Sequence, residues 1–312
     1  MAKVTRLIFW FAWSLTHAAS AAGSILGGWL AGIASDGTML LAIFDGLLFV
    51  FFAVLALRGA PCKKSTWASF AGFAGLGLFF ALSPGVGPWI KEPGQGGAAG
   101  LEFTLMQGNT EGKGNPGGWG ADVVVLSELW DAALLAPAGL LLAVGPKPGV
   151  NDTAIYSRFE AESSGLIQSD KSGWSQAAWA KLKTPGGPVM VVSVHTHSPT
   201  SFQWDKDRNV FFERLALFLA EQPKSMPVVV SGDFNATPAN LAFRRLLSKA
   251  DFAQEPNPWS PTWHSAAARF GLGFRIDRTM GINGARIKSW RALAKGPSDH
   301  LFSESKIAVE FH

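Results

Sequence analysis

Apolar runs almost free of charge fill the first 90 residues, and short apolar runs alternate with polar clusters after them. Leu7 to Ile33 carries no Asp, Glu, Lys or Arg, Met39 to Leu57 carries only Asp45, and Trp67 to Ile90 carries no charge. Each run is long enough for the roughly 20 residues of a membrane helix, and none has the polar face of a helix packed on a soluble core. The pattern predicts three transmembrane helices within residues 1–90. Leu7 to Ala22 also has the outline of a signal peptide, with Lys3 and Arg6 ahead of it and small residues before Gly23. The apolar run continues well past those small residues, which favours a span.

From residue 100 onward the period changes. Glu102–Met106, Val123–Leu126, Leu140–Val144, Thr153–Tyr156, Val189–Val194 and Val228–Ser231 read as strands. Asn209 to Ala220 has helical spacing, with Phe211, Leu215, Phe218 and Leu219 on one face, and Pro223 and Pro227 close it. Ala239 to Leu247 is a second short helix after Thr237-Pro238. The organisation expected is a membrane domain over 1–90, a Pro/Gly-rich linker over 91–100 and a folded domain over 101–312.

Composition agrees with a membrane segment. Of 312 residues, 48% are hydrophobic, and the mean hydropathy of +0.18 is high for a soluble chain. Lys3 and Arg6 precede the first run, Arg58, Lys63 and Lys64 lie between the second and third, and the loop around Asp36 has no Lys or Arg. The positive-inside rule then places the N-terminus in the cytoplasm and everything after Ile90 outside it. Tryptophans such as Trp10, Trp29 and Trp89 suit an interfacial belt. His17 and Asp45 within the spans read as a packing contact between helices rather than a transport device. Cys62 is the only cysteine, so no intramolecular disulfide forms. A net charge of +4, without a dense Lys/Arg stripe, argues against extensive tracking of a nucleic-acid backbone.

The chemistry gathers at strand ends. Val228-Val229-Val230-Ser231-Gly232-Asp233-Phe234-Asn235 is a buried strand delivering an acid and an amide to one sheet edge, and side chains two apart face the same way. Asn109 ends the Leu101 run, Glu128 follows Val-Val-Val-Leu-Ser, and His195 and His197 follow Val191-Val192-Ser193-Val194. Arg275-Ile276-Asp277-Arg278 and Ser298-Asp299-His300 complete the series.

These clusters, in this order over roughly residues 100–312, resemble the endonuclease/exonuclease/phosphatase superfamily. It comprises metal-dependent phosphoesterases and includes DNase I-like nucleases, inositol polyphosphate phosphatases and bacterial sphingomyelinases. The resemblance implies a four-layer α/β/β/α sandwich of the α+β type, with the catalytic residues at one end of two packed sheets. It implies Asn109, Glu128 and Asp299 as metal ligands, for Mg²⁺ or Mn²⁺. It implies His300 beside the scissile phosphate, oriented by Asp277, with Asp233 and Asn235 positioning water or handling the leaving-group proton. His195 fits the register of the family's remaining histidine better than His197 does. Arg158, after Asn151-Asp152-Thr153, is a weaker candidate for a phosphate contact, and Thr262-Trp263 matches a recurring pair near the site. Leu301-Phe302-Ser303-Glu304 departs from the Pro-containing run usual after Ser-Asp-His.

The function implied is a membrane-anchored, divalent-metal-dependent hydrolase of phosphodiesters or phosphomonoesters on the extracytoplasmic side. Its substrate would be nucleic acid or a phospholipid headgroup, and its other partner the lipid bilayer. The alternative is a non-catalytic binding or membrane-organising protein on a degenerate hydrolase fold.

Overall fold

Val123-Val124-Val125-Leu126-Ser127 is buried along its whole length and forms strand β2 (Val123–Ser127), central in its sheet. A strand covered on both faces reads as an unbroken apolar run, because neither side meets water. β1 (Leu101–Asn109) lies parallel to β2 and antiparallel to β11 (Ser303–Val309). β4 (Ala154–Ser157) pairs antiparallel with β2, and β3 (Leu141–Val144) and β10 (Ala285–Ala292) form the edges of a six-stranded sheet. A second sheet of five strands runs in order through β5 (Ala161–Gln168), β6 (Gln176–Thr184), β7 (Gly187–His195), β8 (Val228–Asp233) and β9 (Asp277–Ile282). The computed structural model describes residues 100–113, 120–131, 137, 139–169, 174–237, 240–250, 252, 260–263, 273–293 and 298–311. The spans expected within residues 1–90 and most of the linker lie outside these.

The sheets face one another through alternate positions. Phe103 and Leu105 of β1, Val123 and Val125 of β2 and Ile155 of β4 share one core with Leu182 of β6, Val189 and Val191 of β7 and Val229 of β8. Each such side chain contributes about 1.5–3 kcal/mol when taken fully out of water. The opposite face of β2, Val124 and Leu126, packs with Met106, Leu129, Ala154 and Tyr156.

Helix α1 (Phe202–Ala220) covers the outer face of the five-stranded sheet, where its Phe218 meets Trp179 of β6 at 6.0 Å between ring centroids. Ser201 caps it by accepting from Trp204 N at 3.2 Å. The helix starts seven residues before the apolar spacing suggested, because its first half buries Asp205, Asp207 and Arg208 rather than hydrocarbon. Helix α2 (Leu241–Ala250) buries Phe243 and Leu246, and Phe243 packs against Phe212 of α1 and Phe234 after β8.

The observed architecture is the expected mixed α and β sandwich. Among the described residues, helices cover the five-stranded sheet only, and no helix is long and apolar enough to cross a membrane.

Candidate active site

Two parallel strand pairs bring the polar residues to one end of the sandwich. In the first sheet the β1–β2 register sets Asn109 beside Ser127, next to Glu128. In the second, β7–β8 sets His195 level with Asp233, and the antiparallel β8–β9 pair sets Asp233 level with Asp277. A single row across three strands therefore holds a histidine and two aspartates.

Asn109 joins the sheets. Its Nδ2 donates to Glu128 Oε1 at 2.8 Å and to Asp233 Oδ2 at 3.1 Å, while its Oδ1 accepts from Glu111 N at 3.0 Å. Glu128 leaves β2 with φ of +51, a left-handed conformation that costs a non-glycine residue energy. Its carbonyl is fixed there by Thr110 Oγ1 at 2.7 Å and Gly112 N at 3.0 Å.

Asp277 is fully buried, and its carboxylate is held by hydrogen bonds. His300 Nδ1 lies 2.8 Å from its Oδ2, and Gln107 Nε2 donates to its Oδ1 at 2.9 Å. Gln107 is held in turn by the Ser303 hydroxyl at 3.1 Å. The far nitrogen of His300 looks at Asp233 Oδ2 at 3.7 Å and Asp299 Oδ1 at 3.6 Å. Burial works against the His300 imidazolium, but Asp277 and Asp233 outweigh it and raise the group to about 10. Burial raises Asp233 to about 6, with the Asp277 charge pushing the same way against the two histidines. Burial also opposes ionisation of Asp277, yet His300 holds it below the ordinary carboxylate value.

His195 is the second histidine of the site. Its Nδ1 lies 2.9 Å from both oxygens of Asp152, and its Nε2 is 3.6 Å from Glu128 Oε1. Burial disfavours its charge, but Asp152 raises it to about 9. His197 is not brought to this cluster. β7 ends at His195, so the two-residue period fails beyond it, and His197 stacks on Trp204 at 4.8 Å with its Nε2 4.0 Å from Asp207.

Other expectations need correction. β8 ends at Asp233, and Asn235 has φ of +45, so the two do not share a strand face. They meet through the turn instead, with Asn235 N donating to Asp233 Oδ1 at 2.8 Å and Asn235 Nδ2 reaching Thr196 O at 2.8 Å. The buried Arg208 guanidinium donates to the Asn235 carbonyl and bonds Asp205 at 2.7 Å. Arg158 is not at the site. β4 runs against β2, so the end carrying Arg158 lies beside Val123, at the far end of β2 from Glu128, and Arg158 pairs with Asp122 at 2.9 Å.

Asp299 has Trp263 Nε1 on its Oδ2 at 2.8 Å, and the preceding Ser298 donates to the Asn109 carbonyl at 2.6 Å. Trp263 lies near the site, as Thr262-Trp263 suggested, and the Asn151-Asp152-Thr153 segment, which resembles a stretch where a polar side chain approaches the phosphate, brings Asp152 to His195; Gln107 was not anticipated. Gln107 and Asp152 each left a signal. Gln107 is two residues before Asn109 on the same strand face, and Asp152 lies two residues ahead of the buried strand β4, where Glu128 directly follows β2.

The donor set fits a hard divalent cation. Two groups bring ligand atoms within 4.8 Å of one another, Glu128–His195–Asp233 and Asp233–Asp277–His300. Among the described residues Glu128, Asp233 and Asp299 have no Lys or Arg partner. Carboxylates gathered without a compensating side-chain cation suit Mg²⁺ or Mn²⁺, and turning the Asn109 amide over presents its oxygen to the same place.

The sequence and the fold both resemble known proteins. Residues 104–300 match the Endonuclease/Exonuclease/phosphatase family. Among solved structures, an endonuclease/exonuclease/phosphatase from Bacteroides vulgatus superposes with a TM-score of 0.54 at 17% identity, over 67% of this chain and 100% of its own. A mannosyl-6-phosphatase from Bacteroides thetaiotaomicron gives 0.53 at 15%, over 66% and 99%. Sphingomyelinase C from Streptomyces griseocarneus gives 0.51 at 18%, over 66% and 99%. No curated protein matches the sequence. Members of the matched family hydrolyse phosphoester bonds and typically use divalent metals. The match spans well over half of the chain, and this protein belongs to the Endonuclease/Exonuclease/phosphatase family.

Proposed function

We propose that this chain is a divalent-metal-dependent phosphoester hydrolase acting on a phosphodiester or phosphomonoester, its catalytic unit over 101–312 tethered outside the cytoplasm by three spans within 1–90. The observation that carries the catalytic part is the meeting of two His–Asp pairs, His300–Asp277 and His195–Asp152, around Asp233 and the Asn109–Glu128 pair. The charge-free runs and the placement of Lys and Arg support the tether and its orientation.

Glu128, Asp299 and Asn109 would hold the metal. A bound Mg²⁺ or Mn²⁺ supplies charge neutralisation at the phosphoryl oxygens and a more acidic water. Asp233 titrates near neutrality at about 6, which suits it to take the proton of an attacking water. Asn235 holds that carboxylate through its backbone N–H. His300, kept protonated by Asp277, offers Nε2–H to a phosphoryl oxygen as charge develops there. His195, kept protonated by Asp152, offers a second donor on the Glu128 side and a proton for the leaving oxygen. The substrate class proposed is nucleic acid or a phospholipid headgroup.

The test is turnover of the full chain with Mg²⁺ and then EDTA on supercoiled DNA, RNA, bis-p-nitrophenyl phosphate and phospholipid vesicles. Metal-dependent cleavage of any of these supports the hydrolase, and which one is cleaved fixes its class. Folded, metal-loaded protein that leaves all of them intact contradicts it.

A further inference from the structure

A pocket of about 420 Å³ opens beside Asp152, the partner of His195. That volume lies in the range of roughly 300–1,000 Å³ usual for small-molecule sites. Its walls are Trp130, Trp174, Pro148 and Val150, and the two indoles are 69% and 63% exposed. Large indoles left in water beside a catalytic cluster are uncovered binding surface.

The indoles are placed rather than loose. Gly112, with φ of +64, leaves the room that the Trp130 ring fills, since a Cβ there would lie 2.4 Å from Trp130 Cε3. The same Gly112 holds the Glu128 carbonyl at 3.0 Å, so Trp130 and the metal-ligand candidate are set by one turn. Trp174 lies 6.4 Å from His197, which is itself stacked on Trp204, so the aromatic surface continues along the rim.

The floor offers acceptors. Gln176 donates its amide to Asp152 at 2.8 Å and Gln168 donates to the Val150 carbonyl at 3.1 Å, leaving both side-chain oxygens without a partner among the described residues. Asn151 uses both ends of its amide on Gly145 and Thr153. Among the described residues no Lys or Arg lines the pocket, which argues against a phosphate or a run of nucleic-acid backbone there. Asp152 is already engaged by His195 and Gln176, so it is not an unmatched charge waiting for a cation. What remains is a demand for hydroxyl donors and for C–H groups able to lie on the electron-rich face of an indole.

We propose that this pocket binds an uncharged, hydroxyl-rich ring, a pyranose or cyclitol, against Trp130 and Trp174, and so selects phosphoesters whose alcohol is a sugar or polyol. The selection rests on the hydrolase reading above; the binding does not.

Saturation-transfer NMR on the full chain in a sugar-free detergent, with methyl glucopyranoside and myo-inositol as probes, tests it. Ring C–H signals should be saturated in the wild type. In Trp130→Ala and Trp174→Ala the binding should weaken roughly tenfold, as expected for about 1.4 kcal/mol of lost contact. Trp174→Phe, which keeps a ring, should recover part of it. Thermal melts establish that each variant is folded. Absence of polyol saturation in the wild type overturns the proposal, as does a signal unchanged in both alanine variants. Tighter binding of tetramethylammonium would make the pocket a cation cage instead, and tighter binding of adenosine a base subsite. Hydrolysis of bis-p-nitrophenyl phosphate without polyol binding removes the pocket assignment alone. Polyol binding without hydrolysis supports the pocket and removes the esterase.

Discussion

Asp152 and His195 stand 43 residues apart in sequence, yet both Asp152 oxygens lie 2.9 Å from His195 Nδ1. The contact repeats across the site what Asp277 does for His300 at 2.8 Å. Each aspartate fixes which nitrogen of its histidine faces Asp233 and Glu128 and favours the charged ring.

Replacing Asp152 should therefore act through His195. Asp152→Asn keeps the size and the hydrogen bond from Gln176 but removes the charge that raises His195. We expect turnover to fall about 10- to 100-fold with the fold intact, the usual effect of losing a partner that orients a functional histidine. An NMR titration should show the His195 pKa falling from its raised position. A variant with unchanged turnover and an unchanged titration would show that the pair is only structural.

Gly232 sets the spacing of the row. It has φ of +144, and a Cβ on it would meet the Val194 carbonyl oxygen at 2.0 Å. The clash is with backbone of the paired strand β7, which cannot step aside without moving His195. Gly232→Ala should cost upward of about 2 kcal/mol in stability. It should also lower activity in whatever fraction remains folded. Chemical denaturation checks it, and a loss below about 0.5 kcal/mol would refute the packing argument.

Much of this arrangement was legible in the sequence, and each exception has its own physical reason. β2 and β8 announced themselves because they are buried on both faces, and their apolar runs end at Glu128 and Asp233. β5, β6, β9, β10, β11 and the first half of α1 carried no comparable sign. Those carry Glu162, Arg286 and Asp205 among others, and hold their form by strand pairing or buried polar contacts rather than by an apolar period. Asn235 fell near its expected place for a different reason, a left-handed turn rather than strand alternation. Arg158 failed because sequence does not show that β4 runs backwards against β2. The Asp152–His195 pair needed the fold, since nothing local links the two positions.

The charged histidines give the metal-free protein a pH signature. His300 is raised from 6.5 to about 10, so the stability it contributes is fully present below about pH 6.5 and is lost as pH rises through 10. His195, raised to about 9, acts in the same direction over the lower part of that window. Asp233, raised from 3.8 to about 6, likewise favours the folded state at low pH and loses that contribution above 6. In EDTA, unfolding by urea should show the wild type losing stability between about pH 6.5 and 10 more steeply than His300→Gln does. Parallel curves for the two proteins would show that His300 is not held charged.

Metal addition should stabilise the protein through Glu128. Mn²⁺ or Mg²⁺ should raise the melting temperature of the wild type, because an ion that binds only the folded chain adds its binding free energy to stability. Glu128→Ala should abolish most of that rise while remaining folded, since Glu128 is half-buried and its removal relieves like charge near Asp233. An equal rise in both proteins would place the ion elsewhere.

On the proposed function, the row around Asp233 carries out metal-dependent phosphoester hydrolysis. The most direct measurement is single-turnover cleavage of bis-p-nitrophenyl phosphate by the full chain with Mn²⁺, comparing wild type, His300→Ala and Glu128→Ala, each verified as folded. The wild type should release nitrophenol only with Mn²⁺, and both variants should lose at least about 100-fold, the scale of removing a catalytic proton donor or the metal's carboxylate. Equal rates in all three, or a wild-type rate indifferent to Mn²⁺ and EDTA, would contradict it.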